Sequence, residues 1–370
     1  MSDGPRVRAD LAELVGYHTP DLDVDVRLNT NESPYPPPPG FVDALADAAR
    51  RIAYHRYPDR EARALRVAIA ASLGVDPESV WAANGSNEVI QVLLLAFGGP
   101  GRRALVFTPT YSLHTKIAEA TATEVVAVGR GEGFGVDAAA VGAACREHDP
   151  AVVFFCSPNN PTGNLESRAA IEAAADDEGR LVVVDEAYAE FCDESCLDLV
   201  AERPNVVVVR TMSKAWSMPA LRLGYMVAPP ALVGALTPAQ LPYHLSAFIQ
   251  EAGRIALGFG AEMAARVALV REERGRIYTA LTEMEAIRVW PSAANFLFLE
   301  VDGGSRSRAD AVWDGLVARS VLVRNFASLP HAPGCLRVTV GTPDENTRFL
   351  VALHEALAET DPRSRPPAPE

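Results

Sequence analysis

Four consecutive valines at 206–209 constrain this chain more than any other feature. A β-branched run of that length, apolar at every position, suits a strand buried on both faces, as in a sheet covered by helices on each side. Similar runs stand at 105–107, 151–155 and 181–184. Helical stretches near 112–120, 137–147 and 166–177 separate them. Strand and helix in alternation specify an α/β fold with a large, mostly parallel sheet in an α/β/α sandwich.

With 370 residues the chain is long enough for two domains. An extended arm is expected over 1–40, packed against the small domain and the active site. It is punctuated by Pro34, Pro36, Pro37, Pro38, Pro39 and Gly40. A large domain over 41–255 opens with an amphipathic helix at 41–53, striped by Phe41, Leu45, Ala48 and Ile52. Helices near 246–258 and 261–285 lead into a smaller α+β domain over 256–360. That domain has strands expected at 296–301, 321–324 and 335–340, and helices at 308–319 and 344–358. The proline-rich tail at 361–370 is expected to be disordered.

Charge and cysteine content narrow the function classes. A net charge of -14 argues against nucleic acid as a partner. The five cysteines are odd in number and form no CxxC pair, which fits free thiols in a reducing cytoplasm and no metal site. The N-terminal segment lacks an apolar signal core, and no apolar run reaches membrane-spanning length.

The chemistry-bearing residues sit where strands end. Lys214 follows the four-valine strand between small and apolar neighbours. A lysine against apolar walls loses hydration and deprotonates more easily, and a neutral amine attacks aldehydes. Gly85 and Ser86 precede an apolar helical run at 89–97, offering free N–H groups and a helix dipole to a phosphate. Tyr111, just after a strand, can stack on a flat heterocycle. Asp185 ends a strand where open α/β sheets bind ligands, and a carboxylate there favours a protonated pyridine ring. Taken singly, each has a plain structural explanation: a surface lysine, a helix cap, a core ring, a salt-bridged helix start.

Their order is more specific. Asn84-Gly85-Ser86-Asn87, Tyr111, Ser157-Pro158-Asn159-Asn160-Pro161-Thr162-Gly163, Asp185-Glu186-Ala187-Tyr188 and Ser213-Lys214 with Arg222-Leu223-Gly224-Tyr225 follow one another along the chain. This series resembles the class I and II aminotransferases of pyridoxal-phosphate (PLP) fold type I. Leu28-Asn29-Thr30-Asn31-Glu32-Ser33-Pro34 further resembles the Leu-Asn-x-Asn-Glu-x-Pro segment of histidinol-phosphate aminotransferases, and the likeness runs over about 10–358. The resemblance implies that Lys214 binds the PLP aldehyde and then serves as base. Asp185 would face the pyridine nitrogen, Asn160 and Tyr188 the phenolate oxygen, and Tyr111 the ring face. Gly85, Ser86, Asn87, Thr211, Ser213 and Arg222 would complete the cofactor site. Tyr57, in Arg56-Tyr57-Pro58-Asp59, would reach across a homodimer interface to the partner's cofactor phosphate. Tyr17, Asn31, Arg324 and Arg337 would contact substrate, Arg337 its carboxylate and Arg324 a phosphate. The Asn160–Pro161 peptide is expected to be cis.

The activity implied is amino transfer from L-histidinol phosphate to 2-oxoglutarate in histidine biosynthesis, in the cytoplasm, without membrane or nucleic-acid partners. Two relatives in kind stay open. Trp216-Ser217-Met218-Pro219-Ala220 departs from the smaller, glycine-bearing segment usual in close relatives, so an aromatic amino acid aminotransferase would keep every cofactor residue. A phosphothreonine-type decarboxylase shares the scaffold and binds a phosphorylated substrate. A non-enzymatic PLP-sensing regulator is opposed by the acidic charge and by the lack of a preceding DNA-binding segment.

Overall fold

The computed structural model describes residues 4–12, 14, 16 and 20–360; the tail expectation falls outside them. Among these residues the strands are β1 (Val26–Leu28), β2 (Val80–Ala83), β3 (Arg103–Thr108), β4 (Glu124–Gly129), β5 (Val152–Cys156), β6 (Leu181–Asp185), β7 (Val206–Thr211), β8 (Gly224–Val227), β9 (Ile287–Val289), β10 (Phe296–Val301), β11 (Val321–Phe326) and β12 (Cys335–Thr339). They form two sheets. The larger has seven strands in the order β2-β8-β7-β6-β5-β3-β4, with only β8 antiparallel to its neighbours.

Alternation explains why the valine run is a strand. Val206 and Val208 enter one core, with Leu105, Val153, Phe155, Val182 and Val184. Val207 and Val209 enter the core on the other face, with Val106, Phe154 and Val183. All four valines are 0% exposed, and burying each stabilises the fold by about 1.5–3 kcal/mol at most. Because neither face meets water, no polar residue interrupts the pattern.

Strand order reverses beside β3: the chain runs outward from β3 to β4, then returns to β5 on the other side. Such a switch point opens a crevice at the carboxyl ends of the strands. The loop after β3 carries Tyr111, and the loop after β5 carries Asn160. Asn159 stitches the two loops together, accepting from Thr110 Oγ1 at 2.8 Å and donating to the Pro109 carbonyl at 3.0 Å.

The smaller sheet runs β1-β11-β12-β10-β9. Leu297, Leu299, Val321, Val323, Leu336 and Val338 point into its helix-covered core. The alternate residues face the other way. Register sets Phe298 opposite Arg337, and Arg337 opposite Arg324. A three-residue strand, β1, lies within the segment expected to be an irregular arm, pairing parallel to β11 with Val26 and Leu28 buried and Arg27 exposed. Three residues are too few to show a period, so only pairing to β11 makes them a strand. Four helices matter below: α1 (Pro39–Arg51), α2 (Arg63–Leu73), α3 (Ser86–Phe97) and α4 (Ser112–Ala120). Of these, α2 was not anticipated, nor were the strands β2, β4 and β9.

Candidate active site

The end of β7 delivers Thr211, Ser213 and Lys214 to the carboxyl edge of the large sheet. Thr211 Oγ1 accepts the Ser213 N–H at 3.1 Å and hydrogen-bonds the Ser213 hydroxyl at 3.0 Å, which fixes the turn before the lysine. Arg222 returns to the same turn, donating to Ser213 Oγ at 3.3 Å and to the Pro219 carbonyl at 3.1 Å. Its backbone is left-handed, with φ of 52°. Gly85 sits against that guanidinium: a Cβ there would lie 2.7 Å from Arg222 Nη2. Gly224 allows closer approach still, since a Cβ would fall 2.2 Å from the Ser86 N–H nitrogen. The N-terminus of α3, the Ser213 hydroxyl and the Arg222 guanidinium therefore converge on one concave, donor-lined spot. Asn87, on the first turn of α3, accepts from the Tyr111 hydroxyl at 3.2 Å and so ties the ring to this spot.

Lys214 Nζ donates to the Thr30 carbonyl at 3.0 Å and lies 6.0 Å from the centroid of the Tyr188 ring. Burial, first, and the nearby Arg337 and Arg222 guanidiniums push its pKa down to about 8, against the opposing pull of Glu32 and Asp185. The Tyr188 hydroxyl accepts from Asn31 Nδ2 at 2.9 Å and from Asn160 Nδ2 at 3.3 Å. Burial is the main reason its pKa is raised, so this phenol stays neutral and keeps a proton to donate. Asn160 Oδ1 in turn accepts from Arg337 Nη1 at 2.6 Å, and Arg337 Nη2 donates to the Asn29 carbonyl at 2.7 Å. Asn31, left-handed at φ of 55°, is held by Thr339 through its N–H and Oδ1, and by Asn295, which donates to its carbonyl. The Asn160–Pro161 peptide is cis, as are Thr108–Pro109 and Ser157–Pro158.

Asp185 is 1% exposed. Its Oδ2 lies 3.0 Å from His114 Nε2, and its Oδ1 accepts the Ala187 N–H at 3.1 Å. His114 is fully buried, stacked on Phe154 at 4.8 Å, with the Tyr111 ring edge-on at 5.4 Å. Sequence reasoning passed over His114. Its one available signal is its place three residues beyond Tyr111, one turn along α4. Arg130 was missed too. It pairs in the core with Glu166 and donates through Nε to the carbonyls of Phe107 and Pro109, bracing the loop that carries Tyr111.

Arg324 and Arg337, directly opposite on adjacent antiparallel strands, both lie within 6 Å of the Phe326 ring, at 5.9 and 5.5 Å. Like charges in that register repel, a cost that a bound anion would offset. Two of the expected residues stand apart. Tyr57 is 81% exposed and stacks on Tyr243 at 4.6 Å, beside an open cleft of about 460 Å³ lined by α1 and its neighbours. Tyr17 lies outside the described residues.

The family profile described as aminotransferase class I and II matches residues 24–353. The chain is 47% identical to a histidinol-phosphate aminotransferase of Frankia casuarinae, over 96% of this chain and 91% of that one. It is 48% identical to one from Thermobifida fusca, over 94% of each chain. The chain belongs to the histidinol-phosphate aminotransferase family of class I and II aminotransferases. Its fold matches the solved histidinol-phosphate aminotransferase of Sinorhizobium meliloti in complex with PLP, with a TM-score of 0.87 and 22% identity over 96% of this chain and 98% of that one. The enzyme is a PLP-dependent transaminase. The residues present fit that cofactor. The cradle at Gly85, which a Cβ would fill, and the donors around it suit a phosphate monoester. A partly deprotonated lysine suits an aldehyde, and a buried carboxylate at a strand end suits a pyridine nitrogen. Among the described residues no group of metal-ligating side chains forms, the five cysteines are free, and no helix is long and apolar enough to cross a membrane.

Proposed function

We propose that this aminotransferase moves the amino group of L-histidinol phosphate to 2-oxoglutarate, yielding imidazole acetol phosphate and L-glutamate, and that it works as a homodimer in the cytoplasm. The observation that carries the substrate is the pair Arg324 and Arg337, side by side on the sheet face that meets Asn160 and Lys214. One half-reaction uses a phosphate monoester and the other a dicarboxylate. Two adjacent guanidiniums serve both, because each anion accepts the same forked, charge-assisted hydrogen bonds. Curated relatives at 43–48% identity carry the same histidinol-phosphate aminotransferase name, which supports the assignment.

The residues divide the work as follows. Ser213, Arg222 and the N–H groups at Gly85, Ser86 and Asn87 would hold the cofactor phosphate and Tyr111 would cover its ring, while Thr211 fixes the turn before the lysine. Asp185, held by His114 and the Ala187 N–H, favours a proton on the pyridine nitrogen. Asn160 and Tyr188 would donate to the cofactor's phenolate oxygen. When bound, PLP supplies an aldehyde for the incoming amine and a ring that delocalises charge left on the substrate carbon. Lys214 Nζ would take the proton from that carbon and hold it for return on the far side of the nitrogen, a role suited to an amine titrating near 8. Asn31 orients Tyr188 and borders the substrate. Tyr57, exposed on the single chain, is placed by this proposal at the subunit boundary, where it completes the partner's phosphate site.

A single-turnover experiment tests the substrate. PLP-loaded enzyme is mixed with L-histidinol phosphate, L-phenylalanine or phosphothreonine, and conversion of the cofactor to its amine form and release of carbon dioxide are followed. Rapid conversion with histidinol phosphate alone is expected. Preference for phenylalanine would make the enzyme an aromatic aminotransferase, and carbon dioxide from phosphothreonine a decarboxylase; either result overturns the proposal. Sedimentation of the native enzyme tests the dimer, which a monomer with full activity would refute.

A further inference from the structure

We propose that a second cleft, between the helix Gly260–Thr282 and the segment that leads into β10, binds a small oxyanion between Arg271 and Arg274. The cleft holds about 260 Å³ and is lined by Arg271, Arg274, Tyr278, Pro291, Ser292 and Leu297. None of these is acidic, in a chain whose net charge is -14. The two arginines lie one turn apart on the helix Gly260–Thr282, so their guanidiniums share a face. Arg271 makes a fork with Asp193, both bonds 2.8 Å, and that carboxylate is largely exposed. Arg274 differs. Its Nη1 donates to the Phe191 carbonyl at 3.2 Å and the Ala294 carbonyl at 2.7 Å, and no carboxylate among the described residues pairs with it. A half-buried guanidinium whose hydrogen-bond partners are all neutral is poorly compensated. Burial, first, and the charge of Arg271 lower its pKa, and the opposing pull of Asp193, already forked to Arg271, does not cancel them. An oxyanion supplies the missing charge and accepts from the guanidiniums and from the Ser292 and Tyr278 hydroxyls.

The position gives such binding a consequence. Phe191 closes the short turn Ala189–Phe191 that follows Tyr188. Ala294 precedes Asn295, whose amide holds the Asn31 carbonyl, and Asn31 bonds the Tyr188 hydroxyl. Arg274 thus clasps two backbone segments that position the phenol beside Lys214. An anion on its other side sets the orientation of that clasp, so occupancy changes turnover without entering the crevice.

The probe is inorganic phosphate, titrated calorimetrically into PLP-loaded enzyme carrying Arg324→Ala and Arg337→Gln, which together remove competition from the crevice. One remaining site is expected. Adding Arg274→Gln or Arg271→Gln weakens it at least about tenfold, the loss expected for a charge-assisted hydrogen bond. Arg271→Gln leaves the two carbonyl bonds of Arg274 in place, so it separates loss of the site from disturbance of the loops. Crystals of PLP-loaded native enzyme soaked in tungstate are expected to show an anomalous peak within hydrogen-bond reach of Arg274. No binding once both crevice arginines are replaced, affinity unchanged by Arg274→Gln and by Arg271→Gln, or tungstate only at Arg324 and Arg337 would overturn the proposal.

Discussion

Replacing Lys214 by methionine should make the cofactor-free protein more stable at neutral pH, although it abolishes catalysis. The lysine titrates at about 8 in the fold against 10.5 in its unperturbed state. Below pH 8 both folded and unfolded chains carry the charge, and the fold bears the full penalty of holding it. Between pH 8 and 10.5 the unfolded chain binds more protons, so native stability rises with pH; above 10.5 the penalty is gone. A shift of this size corresponds to about 3 kcal/mol, discounted to about 2–3 because Lys214 is only half-buried. Methionine, close in length and apolar, removes that penalty. It also leaves the Thr30 carbonyl without the 3.0 Å bond from Nζ, a loss of about 1 kcal/mol. The net gain should be about 1–2 kcal/mol at pH 7, shrinking as pH rises toward 10 and reversing sign beyond it. Urea unfolding of both cofactor-free proteins at about pH 6.5, 8, 9 and 10, below and between the folded and unfolded lysine titrations, reads this directly. A variant no more stable than wild type at pH 7, or a difference that does not change with pH, would refute a lysine held partly neutral by its surroundings. The same shift raises the neutral, nucleophilic fraction at pH 7 by about 300-fold over an ordinary lysine.

Three further outcomes follow from named contacts. Arg324→Ala should lower kcat/KM for L-histidinol phosphate by about 10²-fold or more, and for an aromatic amino acid far less, because only the phosphate loses a charge-assisted partner; equal losses in steady-state assays would remove Arg324 from phosphate recognition. His114→Phe keeps a ring against Phe154 but deletes the bond to Asp185 Oδ2; it should destabilise the cofactor-free protein by about 1.5–3 kcal/mol in urea unfolding at pH 7 and weaken PLP binding measured by fluorescence quenching. Gly224→Ala forces a Cβ to 2.2 Å from the Ser86 nitrogen; a stability loss of about 1–3 kcal/mol and poorer PLP retention on dialysis are expected, while unchanged retention would show that α3 need not pack so closely on β8.

Much of this protein can be read from its residues in order, but not all of it for the same reason. The central strands are legible because burial on both faces allows only apolar residues, as at 206–209 and 181–184. Lys214, Asp185, Asn160, Tyr188 and Arg222 stand out because their motifs follow one another in an order that resembles the class I and II aminotransferases. The edge strands β1 and β9, three residues each, carry no period of their own. The strand β4 is half-exposed along its length. Their identity depends on partners far along the chain.

Side-chain partnerships across the fold are a different matter. No local pattern announces that His114 meets Asp185, 71 positions later. Nor does one show that Arg130 braces the Tyr111 loop, or that Arg324 and Arg337 share a register that sets two positive charges side by side. Periodicity by itself determines that this chain is an α/β protein with an amine and a carboxylate at the ends of buried strands, and the order of the motifs supplies the family resemblance. Which groups touch, which lysine loses its hydration and which charges face each other are decided only in the tertiary structure. Hydrogen bonds and desolvation act over a few ångströms in space, whatever the separation along the chain.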